Sequence, residues 1–258
     1  MDSWSLHGKT ALVCGASSGI GKATALLLAE RGARIIALAR TEEKLQTLMA
    51  ELLGEGHQYY VVDLANTEEL TTFLPELKKE NIQILINNAG GPKAGLLHEA
   101  QVDEFTAPMK AHLYAAHLLV QTVLPAMKAS HYGRILNVIS TSVKNPLPNL
   151  GVSNTVRGAM ASWSKTLAAE LAPFAITVNN VLPGYIKTDR LTSLLESAAK
   201  NSQTSLKQVE ESWEKTVPLG RIGEPKEMAE AIAFLASPAA SYITGINLPV
   251  DGGRTPSL

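Results

Sequence analysis

The 258-residue chain has a single cysteine, Cys14, which excludes an intramolecular disulfide and, inside an apolar run, reads as a core thiol rather than a redox group. It has no charge of one sign to spare: 23 Lys and Arg are interspersed with 24 Asp and Glu, for a net charge of −1. That balance leaves no electrostatic footprint for nucleic acid or an anionic membrane surface. No Pro/Gly/Ser-rich linker, charge block or internal repeat divides the chain, so one domain over 1–258 is expected. Residues 1–9 lack the apolar core of a leader, and the most apolar helical stretch, 111–127, is interrupted by His112, His117, Gln121 and Pro125. Neither a membrane span nor a metal site is expected, and the chain reads as cytoplasmic. The apolar helix should pack against a partner subunit or inside the core.

What is present is strongly patterned. Residues 9–14 read as a short apolar strand running into Gly15-Ala16-Ser17-Ser18-Gly19-Ile20-Gly21. A helix should follow over 21–31, where Ala23, Leu26, Leu27, Leu28 and Ala29 repeat a helical face and Arg31-Gly32 supplies the stop. Residues 34–40 give a second buried strand. A strand, glycine loop, helix and strand within about thirty residues form a dinucleotide site, because glycines let the backbone approach a pyrophosphate whose charge meets the free N–H groups of the helix start. Further apolar strands at 57–63, 82–88, 133–140, 175–182 and 243–250 alternate with helical stretches. The fold class expected is α/β, a doubly wound parallel sheet of about seven strands flanked by helices. At the end of the second strand no acid waits for a ribose 2′-hydroxyl. Arg40 and Thr41 stand there instead, suited to a 2′-phosphate, so NADP(H) is favoured over NAD(H). The alternative pairs Arg40 with Glu42 or Glu43 on the surface.

Six landmarks in order carry a resemblance across essentially the whole chain: Gly15-x-x-x-Gly19-x-Gly21, Asp63, Asn87-Asn88-Ala89-Gly90, Gly133-Arg134-Ile135 leading to Ser140, Val178-Asn179 with Pro183-Gly184, and Ile243-Thr244-Gly245 to Gly253. The chain resembles a short-chain dehydrogenase/reductase, and Pro218 through Pro225 with the C-terminal motif resembles the 3-oxoacyl-(acyl carrier protein) reductase branch. The resemblance implies a cofactor held by Gly15, Ser17, Ser18, Gly19, Ile20 and Gly21. It adds Arg40 at the ribose, Asp63 and Leu64 at the adenine, and Asn87, Ala89 and Gly90 beside the adenosine half. Pro183, Gly184, Ile186 and Thr188 would wrap the nicotinamide carboxamide and a phosphate.

In that family a serine orients the carbonyl, a tyrosine thirteen residues later donates the proton, a lysine four further holds the ribose, and a helix asparagine completes a relay. Laid on this chain, the serine is Ser140, the tyrosine position is Ser153, the lysine position is Arg157 and the asparagine position is His112. Three of the four side-chain types are replaced. A serine hydroxyl is a far weaker acid than a phenol, and an arginine cannot shuttle a proton. Ser140, Ser153 and Arg157 are thus expected as a donor cluster for an oxyanion, with His112 as a group titrating near neutrality that supplies the proton. Tyr185 and Tyr114 are possible stand-ins for the missing phenol.

The expected activity is hydride transfer to a carbonyl, on a 3-oxoacyl thioester or a similar hydrophobic ketone. Two other readings remain. One is an enoyl reductase resembling 2,4-dienoyl-CoA reductases, which also carry Ser-x-x-x-basic but place a tyrosine where this chain has Ser140-Thr141-Ser142-Val143. The other is an NADPH-binding sensor or scaffold without turnover. Residues 189–217 should form a helical lid, with Lys187, Arg190, Lys200 and Lys207 as a candidate basic patch for an acyl carrier protein. A homotetramer or homodimer is the assembly the resemblance implies.

Overall fold

Strands whose residues are apolar on both faces must be covered on both faces. Thr10–Cys14 is such a strand, buried at every position. The computed structural model describes residues 2–257 and contains, among them, seven parallel strands in one sheet. They are β1 (Thr10–Cys14), β2 (Arg34–Ala39), β3 (Gln58–Val61), β4 (Ile84–Asn87), β5 (Gly133–Val138), β6 (Ile176–Pro183) and β7 (Asn247–Val250), in the order β3-β2-β1-β4-β5-β6-β7. Between them run α1 (Gly19–Glu30), α2 (Glu42–Glu51), α3 (Thr67–Lys78), α4 (Thr106–Met109), α5 (Ala115–Ala129), α6 (Gly151–Leu171), α7 (Asp189–Ser202), α8 (Leu206–Glu214) and α9 (Pro225–Ala236). Alternation along β1 divides the core. Ala11 and Val13 join the cluster with α1, α2 and α9, while Leu12 and Cys14 join the one with α3, α5 and α6. Burial pushes the Cys14 thiol up to about 12, consistent with a packing residue.

The sheet order reverses between β1 and β4, so their carboxyl ends open a crevice rather than closing on each other. The glycine loop leaves β1 there and Asn88 to Gly90 leave β4. Four asparagines stand in register behind this edge: Asn87 on β4, Asn137 on β5, Asn180 on β6 and Asn247 on β7. Each side-chain amide donates to the next one's carbonyl, at 2.8, 2.9 and 2.8 Å, and Asn137 also donates to Ser164 on α6 at 2.9 Å.

Two elements depart most from the sequence expectation, while the other strands shift at their ends by one to a few residues. The last strand begins at Asn247, because residues 243–246 turn through Gly245 at φ +74°, whose N–H reaches Val178 O. The apolar helix is not uniform: α4 passes through a π turn, Lys110–Tyr114, into α5. The 189–217 segment resolves into α7 and α8 around a small core of Leu191, Leu195, Ala199 and Val209. The Tyr185 ring joins this pair to the chain's end, stacking on Trp213 at 4.6 Å and lying 4.2 Å from the Arg254 guanidinium, which donates to the Tyr185 hydroxyl at 2.9 Å.

Candidate active site

The glycine loop is shaped by contacts that side chains would destroy. A Cβ on Gly21 would overlap the Gly15 carbonyl, and one on Gly15, which sits at φ +62°, would fall 2.6 Å from the Asn88 amide. Asn88 Nδ2 donates to Cys14 O at 3.3 Å, fastening the end of β4 to the loop. Ser18 precedes α1 without a side-chain capping bond, so the first-turn N–H groups of Gly19, Ile20 and Gly21 are left for a ligand. Ser17 and Ser18 flank them, part-buried. Opposite, Thr188 caps α7 and brings its methyl within 3.0 Å of where a Gly19 Cβ would lie. Gly184 is required because a Cβ there would sit 2.6 Å from Asp251 Cα; Pro183 ends β6 and Ile186 is buried behind the segment. Arg40 is exposed and, among the described residues, pairs with no acid; Glu42 instead accepts from Tyr59 at 3.2 Å. One Asp63 oxygen accepts from Ala65 N at 2.9 Å, the other is free, and Leu64 and Ala89 line a cavity of about 10 Å³ with His112. Open space beyond Gly90 allows a ligand to come against the backbone. These residues fit a dinucleotide.

At the other end of the crevice the π turn rotates His112 inward and Tyr114 outward, leaving the ring 5% and the tyrosine 48% exposed. Arg157, 6% exposed on α6, donates from Nη1 to His112 Nδ1 at 3.1 Å and to Val138 O at 3.1 Å. Because the guanidinium can only donate, Nδ1 must accept, and the imidazole proton lies on Nε2, which donates to Gly90 O at 3.0 Å. His112 is therefore neutral. Burial and the Arg157 charge hold it well below its ordinary pKa, against a smaller opposing pull from the Gly90 carbonyl. The expectation of a histidine titrating near neutrality is corrected: its one proton is committed to a carbonyl. Arg157 falls to about 10 through burial and the nearby Arg190 charge, and stays protonated at neutral pH. Its Nε is buried without a partner.

Ser140 follows β5 in extended backbone and its Oγ accepts from Ser142 N at 3.0 Å. Ser153 lies one turn before Arg157 on the same face of α6, 8% exposed and without a hydrogen-bond partner among the described residues. Neither tyrosine stands in for the missing phenol. Tyr114 points outward, and burial raises Tyr185, only partly offset by Arg254, making it a weaker acid. The basic patch also dissolves: Lys187 pairs with Glu224 and Lys207 with Glu211, both at 3.8 Å, while Arg190 turns into the crevice and donates to Pro92 O at 2.6 Å. The sequence reading placed Asn88 in the β4 motif and Arg190 in a patch beside the cleft, but their contacts, Asn88 to the glycine loop and Arg190 to Pro92 O, appear only in the fold, which brings β4 against the loop and α7 against 90–92.

Residues 15–255 match the family model described as Enoyl-(Acyl carrier protein) reductase. The 3-oxoacyl-[acyl-carrier-protein] reductase FabG of Vibrio cholerae is 39% identical over 96% of this chain and 98% of its own. The chain is a short-chain dehydrogenase/reductase. Another relative of this dehydrogenase/reductase is the NADPH-dependent reductase BacG of Bacillus subtilis, 30% identical over 97% of this chain and 99% of its own. Among solved structures, YwfH, an NADPH-dependent reductase involved in bacilysin biosynthesis, superposes with a TM-score of 0.90 at 30% identity, covering 97% and 99% of the two chains. The L-sorbose reductase of Gluconobacter frateurii, complexed with NADPH and L-sorbose, gives 0.91 at 29% identity over 99% and 100%.

Proposed function

We propose that this short-chain dehydrogenase/reductase is an NADP(H)-dependent oxidoreductase that reduces a carbonyl in a hydrophobic compound of the 3-oxoacyl type. The observation that carries the reading is the pairing of a bare glycine loop and an unpaired Arg40 with a permanent positive charge, Arg157, at the far end of the same crevice. NADPH, when bound, supplies the hydride. Its pyrophosphate would lie on the α1 start between the Gly19 loop and Thr188, and its 2′-phosphate against Arg40. Ser140 orients the carbonyl oxygen. As negative charge develops there, the Ser140 and Ser153 hydroxyls donate to it and the Arg157 charge stabilises it in a site of low dielectric. Ser153 relays a proton from solvent. His112 accepts one Arg157 N–H and fixes its guanidinium, a positioning role in place of the acid role expected from sequence. The α7–α8 pair covers the substrate, and the protein works in the cytoplasm as a homotetramer, as the family likeness suggests.

The test is NADPH oxidation with a short 3-oxoacyl thioester, beside NADPH and NADH binding titrations. The reading expects turnover that falls about 100-fold or more in Arg157→Met and tighter binding of NADPH than of NADH. Tight NADPH binding with no turnover on a panel of carbonyl and enoyl compounds overturns it in favour of a cofactor-binding protein. The absence of any phenol at Ser153 favours one second reading, reduction of a conjugated alkene, where Arg157 would stabilise an enolate. Enoyl turnover without carbonyl turnover selects it.

A further inference from the structure

The Gly90 to Pro92 segment is gripped from both ends by arginines. On one side Arg157 holds His112, which donates to Gly90 O. On the other, Arg190 lies flat over Gly91, with its guanidinium 3.3 to 3.5 Å from where a Gly91 Cβ would sit, and donates to Pro92 O at 2.6 Å. Neither guanidinium makes an ion pair: among the described residues every salt bridge lies elsewhere. All the oxygens they contact are neutral backbone carbonyls. Each keeps unused donors. Arg157 Nε is buried without a partner, and only Arg190 Nη2 is engaged by protein. The Arg190 charge is felt at Arg157, and Arg190 is itself lowered by burial.

Arg157 is buried and Arg190 half-buried at the crevice, with no carboxylate between them; holding a buried cation beside a second like charge is costly, and the cost is relieved when an anion arrives. Arginine presents planar, paired donors that match a carboxylate in two-point contact. We propose that Arg190, backed by the charge of Arg157, is a carboxylate-binding site, so that an oxo compound carrying a free carboxylate is held in preference to its neutral ester. This rests on the reductase reading only for the carbonyl; the carboxylate site stands on its own geometry. A phosphate oxygen of the cofactor is the other anion that reaches this crevice, and the experiment separates the two.

The NADPH complex is titrated with 2-oxohexanoate, hexanoate and the methyl ester of 2-oxohexanoate by calorimetry, with NADPH oxidation followed in parallel, for the native chain and for Arg190→Met and Arg190→Lys. The site predicts binding of both acids in preference to the ester, weakened about tenfold or more in Arg190→Met, partly restored in Arg190→Lys, with NADPH affinity within about twofold of the native value throughout. An Arg190→Met that weakens NADPH instead, leaving the acids' preference over the ester intact, overturns the proposal and assigns Arg190 to the cofactor phosphates. Equal binding of acid and ester overturns it as well. Acids that bind through Arg190 without being reduced leave the carboxylate site standing and remove the reductase reading; an ester or thioester reduced as well as the acid does the reverse.

Discussion

Arg157 and His112 are a pair in which the charged partner decides the protonation of the neutral one. His112 is protonated in the unfolded chain below 6.5 and neutral in the fold, so the unfolded state takes up the extra proton as pH falls. Stability contributed by this residue is complete above 6.5 and declines below it, by about 1.4 kcal/mol per pH unit at most. His112→Asn, which cannot titrate, should flatten that part of the acid dependence in urea unfolding series run on both proteins. An unchanged slope would mean His112 is protonated in the fold after all. Arg157→Lys keeps the charge but replaces a planar fork with a point donor, so it should lose the simultaneous contacts to His112 and Val138 O. A fall in kcat larger than the rise in KM is the expected signature, read by steady-state kinetics. The positions of these residues came from the family resemblance, which puts Ser153 and Arg157 thirteen and then four positions beyond Ser140 and His112 in the preceding helix. Their protonation did not, because it depends on which atom accepts from which, and that is a property of the packed crevice.

At the scale of elements, the asparagine ladder ties four strands together behind the site. Asn137 is one of its two interior members and is completely buried. Asn137→Val would orphan the Asn87 amide and the Asn180 carbonyl and strip one donor from Ser164, whose hydroxyl keeps its bond to Met160 O, at a cost of about 3 kcal/mol. Asn247→Val removes one acceptor at the ladder's end and should cost about 1 kcal/mol. Urea unfolding of both variants checks the difference; equal losses would show that the amides do not act as a chain. Gly21→Ala tests the loop in the same spirit. The methyl has nowhere to go but into the Gly15 carbonyl, so NADPH titration should show binding lost while the rest of the fold survives. The central strands were readable because both faces of the sheet are covered there and the runs are mostly apolar, whereas the edge strand β3 is exposed at both ends. The first strand, expected at 9–14, forms over Thr10–Cys14. The π turn carried no such mark: its residues are ordinary helix formers, and only the demand for an inward His112 and an outward Tyr114 distinguishes it. Of the four asparagines only Asn87 read as a motif marker; the other marker, Asn179, lies beside the ladder and donates to Ile243 O instead. The ladder itself uses Asn180, and cross-strand register is invisible in one dimension.

Across the whole molecule, the π turn and α5 present an exposed stripe of Tyr114, His117 and Gln121 beside the buried face, with Trp163 of α6 donating to His117 Nδ1 at 3.4 Å. If the proposed homotetramer uses this surface, replacing Tyr114 and Gln121 together with arginine should yield smaller species in sedimentation, and an unchanged mass would place the interface elsewhere. The whole-chain order of landmarks made the family legible before any fold was known. The opposing arginines were not, since Gly91 and Arg190 lie almost a hundred positions apart and meet only because β4 and β6 end on the same edge of one sheet.

The Trp213, Tyr185 and Arg254 stack has a practical side. Arg254 donates to the Tyr185 hydroxyl, Tyr185 stacks on Trp213 of α8, and Thr255 N donates to Asp251 at 2.8 Å, so residues 251–255 are laced to the α7–α8 pair. Cutting that lacing with Arg254→Ala is expected to loosen the pair and weaken substrate binding in a titration of the NADPH complex; unchanged binding would mean the pair holds its place without it.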